Sequence, residues 1–432
     1  MLEKFSGSWY RLDNAGKLFP SIATTRCTTV FRISATLNEN INIKILQSAL
    51  NHLAPRLPYY QVNLKRGLFW YYLEKANYLP TIQEEKAFPC MYLGFQRSNL
   101  FPYRVIYYKR RISLEIAHFL TDGMGATRFL KSLLAEYFKL LKGIEQNSES
   151  GLLFPDETVK GEEWEDAFRK YSTETGSIPN AKLKTAMHFP FPLIERGAYY
   201  IITGIMPVEK VISKSREIGT SLNNFFLALY FESILEFISQ APVYLKRELY
   251  KPITMNVPVN LRSIFPSESM RNFFLSITPC IDPRSSILTF ENIIESVSQQ
   301  MKQNLDKNHL SNIINRNVKG ETSLLIRLLP LFIKDAMMPF LYFAFGENLY
   351  TSSISNLGKI TLPQSIAPFV DRFDFYPAPS RGNKIKATVV SYKDHLYFTF
   401  GKLTRVRVIE RLFFRKLVNM GIPVKIETNL NP

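Results

Sequence analysis

The length, composition and charge of this sequence exclude several classes of protein. The chain has 432 residues, 46% of them hydrophobic, with 33 Phe and 22 Tyr, which supplies sizeable cores and excludes a disordered chain. Its three cysteines, Cys27, Cys90 and Cys280, lack metal-ligand spacing, so we expect a reduced, cytoplasmic protein without a structural metal. The N-terminal residues lack the long apolar core of a signal peptide.

The charge balance is strongly basic. Lys and Arg number 54 against 37 Asp and Glu, a formal net charge of +17. A surface of this sign attracts polyanions, but the sequence has no zinc-finger spacing, RNA-recognition motif or basic heptad region. We therefore expect no nucleic-acid function. A nonspecific polyanion binder stays open on charge alone, and a solvated lysine-rich surface explains much of the excess.

The predicted elements form two α/β halves separated by a polar stretch. Those of the first half are strands at 28–36, 67–74, 101–109 and 111–118 and helices at 43–53 and 127–141. The polar crossover at 143–180 has one short helix predicted near Trp164. Those of the second half are strands at 199–206, 252–258, 272–281, 384–392 and 396–400 and helices at 208–218, 222–238, 290–304 and 405–418.

One apolar segment, 324–345, is long enough to span a bilayer. It also contains three charged residues and two prolines, Arg327, Lys334, Asp335, Pro330 and Pro339. Charges are costly in a spanning helix and prolines interrupt it. The pattern therefore predicts a broken, mostly buried helical segment. A surface-associated amphipathic element in peripheral contact with a membrane is the alternative.

The segment that begins at His118 carries the main functional signal. Alternation along 111–117 places Ile112, Leu114 and His118 on one face of a strand. A histidine that ends an apolar stripe just before a turn points into a buried or cleft-lining region, where it can act as a general base. A core histidine satisfied by backbone groups is the alternative interpretation.

Asp122, Gly123 and Gly125 form the predicted turn into the next helix. The glycines permit a sharp strand-to-helix connection. A carboxylate at this position caps the helix N-terminus, and it can also pair with a distant cation and so fix the turn that presents His118. The two roles of Asp122 are compatible.

The spacing His-x-x-x-Asp-Gly of His118, Asp122 and Gly123 resembles the signature of the superfamily typified by chloramphenicol acetyltransferase. That superfamily also contains nonribosomal-peptide condensation domains and alcohol acetyltransferases. Residues 256–262, Asn-Val-Pro-Val-Asn-Leu-Arg, resemble a Val-Pro-Val-x-x-Arg segment of condensation domains. Residues 355–358, Ser-Asn-Leu-Gly, resemble a stretch that lies near the cleft in that family.

The beginning of the chain extends this resemblance. Residues 9–20 are similar to the start of stand-alone bacterial alcohol-acetyltransferase-like proteins, and so are residues 121–130. Together the similar segments span the chain from about Trp9 to about Gly401. The family resemblance is thus not confined to the six-residue motif.

The resemblance implies an α/β (α+β) fold of two similar subdomains, 1–180 and 181–432, with the crossover at 143–180 included in the first. Each is a mostly antiparallel or mixed sheet backed by helices, and the two share a cleft or tunnel. Since only the first half carries the histidine motif, we expect one active site per chain, and we expect a monomer.

The resemblance also implies a mechanism without a covalent enzyme intermediate. His118 would deprotonate a hydroxyl or amine, which attacks the carbonyl of an acyl-CoA or acyl-carrier thioester; no permanently bound cofactor or metal is implied. An acidic acyl-carrier protein is one candidate donor. No Gly-x-Ser-x-Gly nucleophile elbow is present in the sequence.

Several residues receive roles from the same resemblance. Arg262 would form an ion pair with Asp122, with Arg271 as the rival partner. Ser355 and Asn356 are candidate oxyanion donors, although Ser-Asn-x-Gly is also a good turn sequence.

Two departures from the family patterns narrow the prediction. Condensation domains usually carry two adjacent histidines, and the first is Ala117 here, which favours alcohol or amine acyltransferases. The Asp-Phe-Gly-Trp-Gly stretch of plant members is missing from 371–376.

A carrier-dependent condensation enzyme and a catalytically silent binding protein are the alternatives to an acyltransferase. His188, in a proline-rich segment, is a weaker candidate for lining the cleft.

Overall fold

The structure is a computed structural model that describes residues 9–96, 100–146, 151–173, 184–285, 288–322 and 324–430. Within them the chain has the predicted α/β class. The strands are β1 (Trp9–Arg11), β2 (Val30–Leu37), β3 (Val62–Arg66), β4 (Tyr71–Lys75), β5 (Gln83–Glu84), β6 (Tyr103–Tyr108), β7 (Arg111–Ala117), β8 (Tyr200–Pro207), β9 (Ile253–Asn260), β10 (Phe274–Ile277), β11 (Cys280–Ile281), β12 (Ser352–Lys359), β13 (Val370–Tyr376), β14 (Ile385–Tyr392), β15 (His395–Lys402) and β16 (Lys425–Thr428).

The α-helices lie between groups of these strands. They are α1 (Phe19–Ile22), α2 (Ile43–Leu53), α3 (Gly123–Lys142), α4 (Ala167–Tyr171), α5 (Val208–Glu217), α6 (Leu222–Gln240), α7 (Val243–Leu249), α8 (Phe290–Asn304), α9 (Lys307–Thr322), α10 (Leu324–Leu328), α11 (Leu331–Phe345) and α12 (Val408–Asn419). No helix among the described residues has the length and apolar character needed to cross a bilayer.

Two large sheets define two lobes. The first-lobe sheet has the strand order β13-β2-β7-β6-β5, and the second has β10-β9-β12-β14-β15-β8-β16, with β11 also paired to β9. A small sheet, β1-β4-β3, accompanies the first lobe. In the second lobe, α6, α8 and α12 bury their apolar residues in one core with the strands.

One strand crosses between the halves of the sequence. β13, far along the chain, pairs antiparallel with β2, with Phe375 opposite Ile33. The first-lobe sheet therefore contains a strand from beyond residue 181. This crossing ties the two lobes together next to the cavity described below.

Helix α3 illustrates how local sequence positions the site. Ala126, Leu130, Leu133 and Tyr137 are buried along one face, as the three- and four-residue spacing predicts. Asp122 caps its N-terminus, and the helix ends at Gly143, whose φ of 70° is left-handed. Such a C-terminus favours glycine because a Cβ is disfavoured there.

The predicted boundaries agree well for strongly periodic elements. The helices predicted at 43–53 and 290–304 are observed at those residues. The strand predicted at 67–74 starts at Tyr71 instead, because the Gly67 amide donates to the Trp70 carbonyl and closes a turn. Part of the crossover predicted at 143–180 lies outside the described residues, and the part described near Trp164 is a short 3₁₀ turn followed by α4.

The prediction that 324–345 is mostly buried is wrong. The segment is broken at Pro330 into α10 and α11, as its prolines predict, because proline removes a backbone donor and clashes with the preceding turn. However, Leu331 and Lys334 are the buried residues of α11, and half of its large apolar side chains are exposed, namely Phe332, Met337, Phe340, Phe343 and Phe345. Apolar composition alone did not reveal that no described residue covers one side of the helix.

Candidate active site

His118 lies directly after β7, where the two lobes meet. Its backbone amide donates to the Thr29 carbonyl at 2.8 Å, which fixes the main chain at the turn. The ring stacks on Phe19, with ring centroids 4.9 Å apart, and lies 5.0 Å from Phe31 and 5.3 Å from Phe274. The imidazole is therefore held between aromatic rings from both halves of the chain.

One ring nitrogen of His118 is engaged by a second-lobe residue. Nδ1 lies 3.2 Å from Oδ1 of Asn272. The amide of Asn272 is itself oriented, because its Nδ2 donates to Asp13 Oδ2 at 3.1 Å. Since Asn272 Oδ1 can only accept, Nδ1 carries the ring proton and Nε2 presents a lone pair.

The His118 ring, which carries Nε2, lines a large cavity. The cavity has a volume of about 780 Å³ and is lined by residues of both lobes, including His118, Asp122, Ser355 and Lys386. Among the described residues, Nε2 has no hydrogen-bond partner. The geometry therefore offers a neutral base facing a space large enough for a sizeable substrate.

Burial sets the protonation state of this base. Desolvation lowers the pKa of His118 below its ordinary value of 6.5, and the negative charge of Asp122 opposes that shift. A lowered pKa keeps the imidazole neutral at neutral pH. The site thus favours the form that can accept a proton.

Asp122 has a different environment, in which both carboxylate oxygens are occupied. Oδ1 accepts the amides of Met124 and Gly125 at 3.1 and 3.2 Å. Oδ2 accepts Arg262 Nη1 at 2.7 Å and the amide of Phe273 at 2.9 Å. The side chain therefore caps α3 and at the same time joins the His118 turn to the second lobe.

The structure pairs Asp122 with Arg262 and not with Arg271. Arg262 follows β9 and also donates to the carbonyls of Ser269 and Arg271. Arg271 lies 3.5 Å from Asp13, and its guanidinium lies over the Trp164 ring at 4.2 Å. Arg262 thus pairs with Asp122, whereas Arg271 pairs with Asp13.

Gly123 and Gly125 are required for space and not for a special backbone angle, which corrects the prediction of a φ-dependent turn. Neither is among the glycines with positive φ. A Cβ on Gly123 would lie 2.5 Å from Leu357 Cδ2, and one on Gly125 would lie 2.5 Å from the Met270 carbonyl oxygen and 2.1 Å from Thr121 Oγ1. The start of α3 is packed directly against second-lobe residues.

Ser355 and Asn356, on β12, both line the cavity, but their polar groups differ. Asn356 Nδ2 donates to Asn223 Oδ1 at 2.6 Å, and its Oδ1 accepts the Gly358 amide at 2.7 Å. The Asn356 amide thus takes part in the turn that Gly358, with φ 75°, makes possible. The Ser355 hydroxyl has no hydrogen bond to any residue that the structure describes, so it is the better placed donor of the two.

Several further residues at the site escaped the sequence analysis. Asp13 and Asn272 orient His118, and burial raises the pKa of Asp13 to about 6, against the lowering effect of Arg271. Asp13 lies in a stretch noted only for family resemblance, and Asn272 was noted only as the first residue of the strand predicted at 272–281. No local pattern marked either residue, since each acts through a contact more than a hundred residues away.

The second-lobe sheet adds further polar groups to the cavity. Asn256 Oδ1 is buried without a hydrogen-bond partner in the part of the chain that is described. Lys386 Nζ donates to the Ala378 carbonyl at 3.1 Å, and burial lowers its pKa. Both residues line the cavity with Thr388. Helix α11 contributes mostly apolar residues to the lining, among them Met338 and Leu341, together with Lys334.

His188 does not line the cavity, contrary to the weaker prediction for this residue. Its Nδ1 lies 3.2 Å from the Gly382 carbonyl oxygen and its Nε2 lies 3.3 Å from that of Asn348. Both ring nitrogens are thus occupied by backbone. Among the described residues, no three side chains form a metal-binding group.

Comparisons with known proteins give a match in fold only. No protein-family model matches the chain, and no curated protein matches its sequence. TRI101 from F. graminearum, solved in complex with coenzyme A and deoxynivalenol, is similar with a TM-score of 0.62 and 8% identity, covering 97% of this chain and 100% of that chain.

Two further solved structures show the same likeness. Polyketide synthase associated protein 5 from Mycobacterium tuberculosis has a TM-score of 0.59 at 12% identity, over 95% of this chain and 97% of that chain. The epimerization domain from the third module of tyrocidine synthetase B has a TM-score of 0.59 at 11% identity, over 95% and 96%. The chain therefore has the two-lobed fold of the condensation-domain and chloramphenicol-acetyltransferase-like superfamily, and the resemblance seen in the sequence is confirmed at that level.

Proposed function

We propose that this protein is an acyltransferase that moves an acyl group from a thioester to a hydroxyl or amine. The observation that carries the proposal is the His118 ring, which is fixed at Nδ1 by Asn272 and lines a cavity of about 780 Å³. Its Nε2 has no hydrogen-bond partner in the described part of the chain. A base in this state can take a proton from a bound nucleophile.

The reaction balances without a covalent enzyme intermediate. His118 Nε2 removes the proton from the acceptor oxygen or nitrogen as that atom attacks the thioester carbonyl carbon. The tetrahedral oxyanion then collapses, the C–S bond breaks, and the proton on Nε2 passes to the departing sulfur. The products are the ester or amide and the free thiol.

The oxyanion requires a hydrogen-bond donor, and Ser355 is our candidate. Its hydroxyl lines the same cavity as His118, whereas the Asn356 amide is occupied by its neighbours. One such donor is typically worth about 3 kcal/mol of transition-state stabilisation. Asp122 has no part in proton transfer here, because its oxygens hold Arg262 and three backbone amides.

The donor is an acyl-CoA in this proposal. TRI101, which shares the fold, was solved with coenzyme A, and a net charge of +17 favours a phosphate-bearing donor. An acidic acyl-carrier protein meets the same electrostatic requirement. The thiol-release assay described next distinguishes between these two thioester donors.

The test measures free-thiol release from a panel of acyl-CoAs, and from acyl-carrier thioesters, with mixed alcohols and amines. Acceptor-dependent release should fall by about 10²–10⁴-fold in His118→Ala, the usual contribution of a general base. His395→Ala, at an exposed hairpin position, is the matched control and should retain activity. Release that is undiminished in His118→Ala would refute the mechanism. Release from acyl-carrier thioesters alone would show that the donor is an acyl-carrier protein and not an acyl-CoA.

A further inference from the structure

The outer face of α11 is unusual for a helix on a protein surface. All of its exposed residues are apolar, namely Phe332, Ala336, Met337, Pro339, Phe340, Phe343 and Phe345. Phe332 is 68% exposed, Phe340 70% and Phe343 51%. A continuous apolar surface of this kind marks an interaction site.

The two charged residues of α11 face the protein instead. Lys334 Nζ donates to the Phe69 carbonyl at 2.8 Å. Asp335 Oδ2 accepts from Arg66 at 2.8 Å and from the Tyr71 hydroxyl at 3.0 Å. Because both charges are bound to the β3–β4 hairpin, the outward face of the helix carries none.

The inner face of the same helix belongs to the candidate active site. Met338, Leu341 and Tyr342 line the cavity that contains His118. Met337 and Phe345 line it as well and are also exposed. Lys334 lines the cavity too, so the helix is a largely apolar wall between the cavity and whatever contacts its outer face.

We propose that the outer face of α11 docks on the surface of a lipid bilayer. An interfacial helix buries an apolar face without directional partners, which matches a face without polar side chains. A protein interface of normal composition would also place hydrogen-bonding groups there.

Charge and neighbouring residues agree with a lipid surface. Arg327 is exposed beside Leu328, which is 66% exposed, immediately before α11. Leu68, 72% exposed, lies next to the helix, where its carbonyl accepts the Leu331 amide at 2.8 Å. A net charge of +17 attracts the molecule to anionic headgroups.

This docking would place the apolar wall of the cavity at the membrane, so that a lipophilic substrate enters without crossing water. That consequence rests on the proposed acyltransferase function, whereas the docking itself does not. The two can therefore fail separately.

The test is cosedimentation of the full-length protein with phosphatidylcholine vesicles, with and without phosphatidylglycerol. We expect binding that increases with the anionic lipid and falls at least about tenfold in the triple variant Phe332→Ser, Phe340→Ser and Phe343→Ser, since each change removes buried apolar area. None of these three residues lines the cavity, so thiol release from a water-soluble short-chain donor should not change.

The matched control is Val243→Ser with Tyr244→Ser. These side chains are 82% and 79% exposed on α7, and their loss should leave vesicle binding unchanged. The proposal fails if the native protein does not bind either vesicle, or if the triple variant binds equally well. It also fails if sedimentation velocity shows that the α11 face instead joins two copies of the chain. Vesicle binding without any thiol release would keep this proposal and refute the proposed function.

Discussion

Two polar residues of the turn after β7, His118 and Asp122, contact the same second-lobe segment, 269–273, in opposite ways. Asp122 is saturated, with an arginine and three backbone amides on its two oxygens. His118 has one engaged nitrogen, Nδ1, whereas Nε2 has no hydrogen-bond partner among the described residues. The four hydrogen bonds of Asp122 fix the turn, and the lone pair on Nε2 of His118 is available for chemistry. The comparison shows that the motif assigns two roles to two residues: Asp122 fixes the turn, and His118 is left to accept a proton.

Among the contacts that fix the turn, the Asp122–Arg262 ion pair should matter most, so Arg262→Ala should give the largest loss of stability. We expect the free energy of unfolding to fall by about 3–5 kcal/mol, because Asp122 would remain buried with its charge unpaired. Urea denaturation measures the change.

A surface pair provides the control for Arg262. Arg284 and Asp282 form an exposed ion pair, so Arg284→Ala should have little or no effect. Arg262→Lys should be intermediate, since it keeps the charge but loses the planar guanidinium. Equal effects of Arg262→Ala and Arg284→Ala would show that the Asp122 pair does not hold the turn.

Gly125→Ala should cost about 1–3 kcal/mol of stability through overpacking. The new methyl group would meet the Met270 backbone carbonyl, which cannot move without shifting the segment that holds Asp122. Thermal unfolding measures the loss.

Gly123→Ala is the milder counterpart, because the methyl group would meet only the end of the Leu357 side chain. We expect a smaller loss, and Leu357→Ala should relieve it in the double variant. If Gly123→Ala proved as costly as Gly125→Ala and were not rescued, close packing against Leu357 would not be the reason for glycine.

Among the residues that orient His118, Asn272 is the one to test: Asn272→Ala should lower kcat by roughly tenfold, which corresponds to the free energy of about one buried hydrogen bond. The loss of the contact at Nδ1 would remove one of the hydrogen bonds that hold the His118 ring. Since this hydrogen bond raises the pKa of His118, its removal should also move the acidic limb of the pH profile to lower pH. A fall in activity with an unmoved pH profile would indicate a merely structural role.

The smallest effect is expected in the pH dependence of the native enzyme. Burial lowers the pKa of His118, and a general base is active when deprotonated. The value of kcat/KM should therefore rise with pH to a plateau, with a midpoint below the ordinary histidine value of 6.5. A midpoint above that value would mean that Asp122 outweighs desolvation.

Local sequence determined much of the architecture and the identity of the reactive turn. The alternation in β7 and the apolar spacing of α3 predicted both elements, because each pattern reports which face is buried. The same pattern placed His118 at the strand end and Asp122 at the helix cap.

Only the tertiary structure decided which distant groups complete the site. The choice of Arg262 over Arg271, the orientation of His118 by Asn272 and Asp13, and the contact of Gly123 with Leu357 all join residues more than a hundred positions apart. The exposed face of α11 was missed for the same reason. Periodicity reports that a residue is apolar, but packing between elements determines what, if anything, covers it.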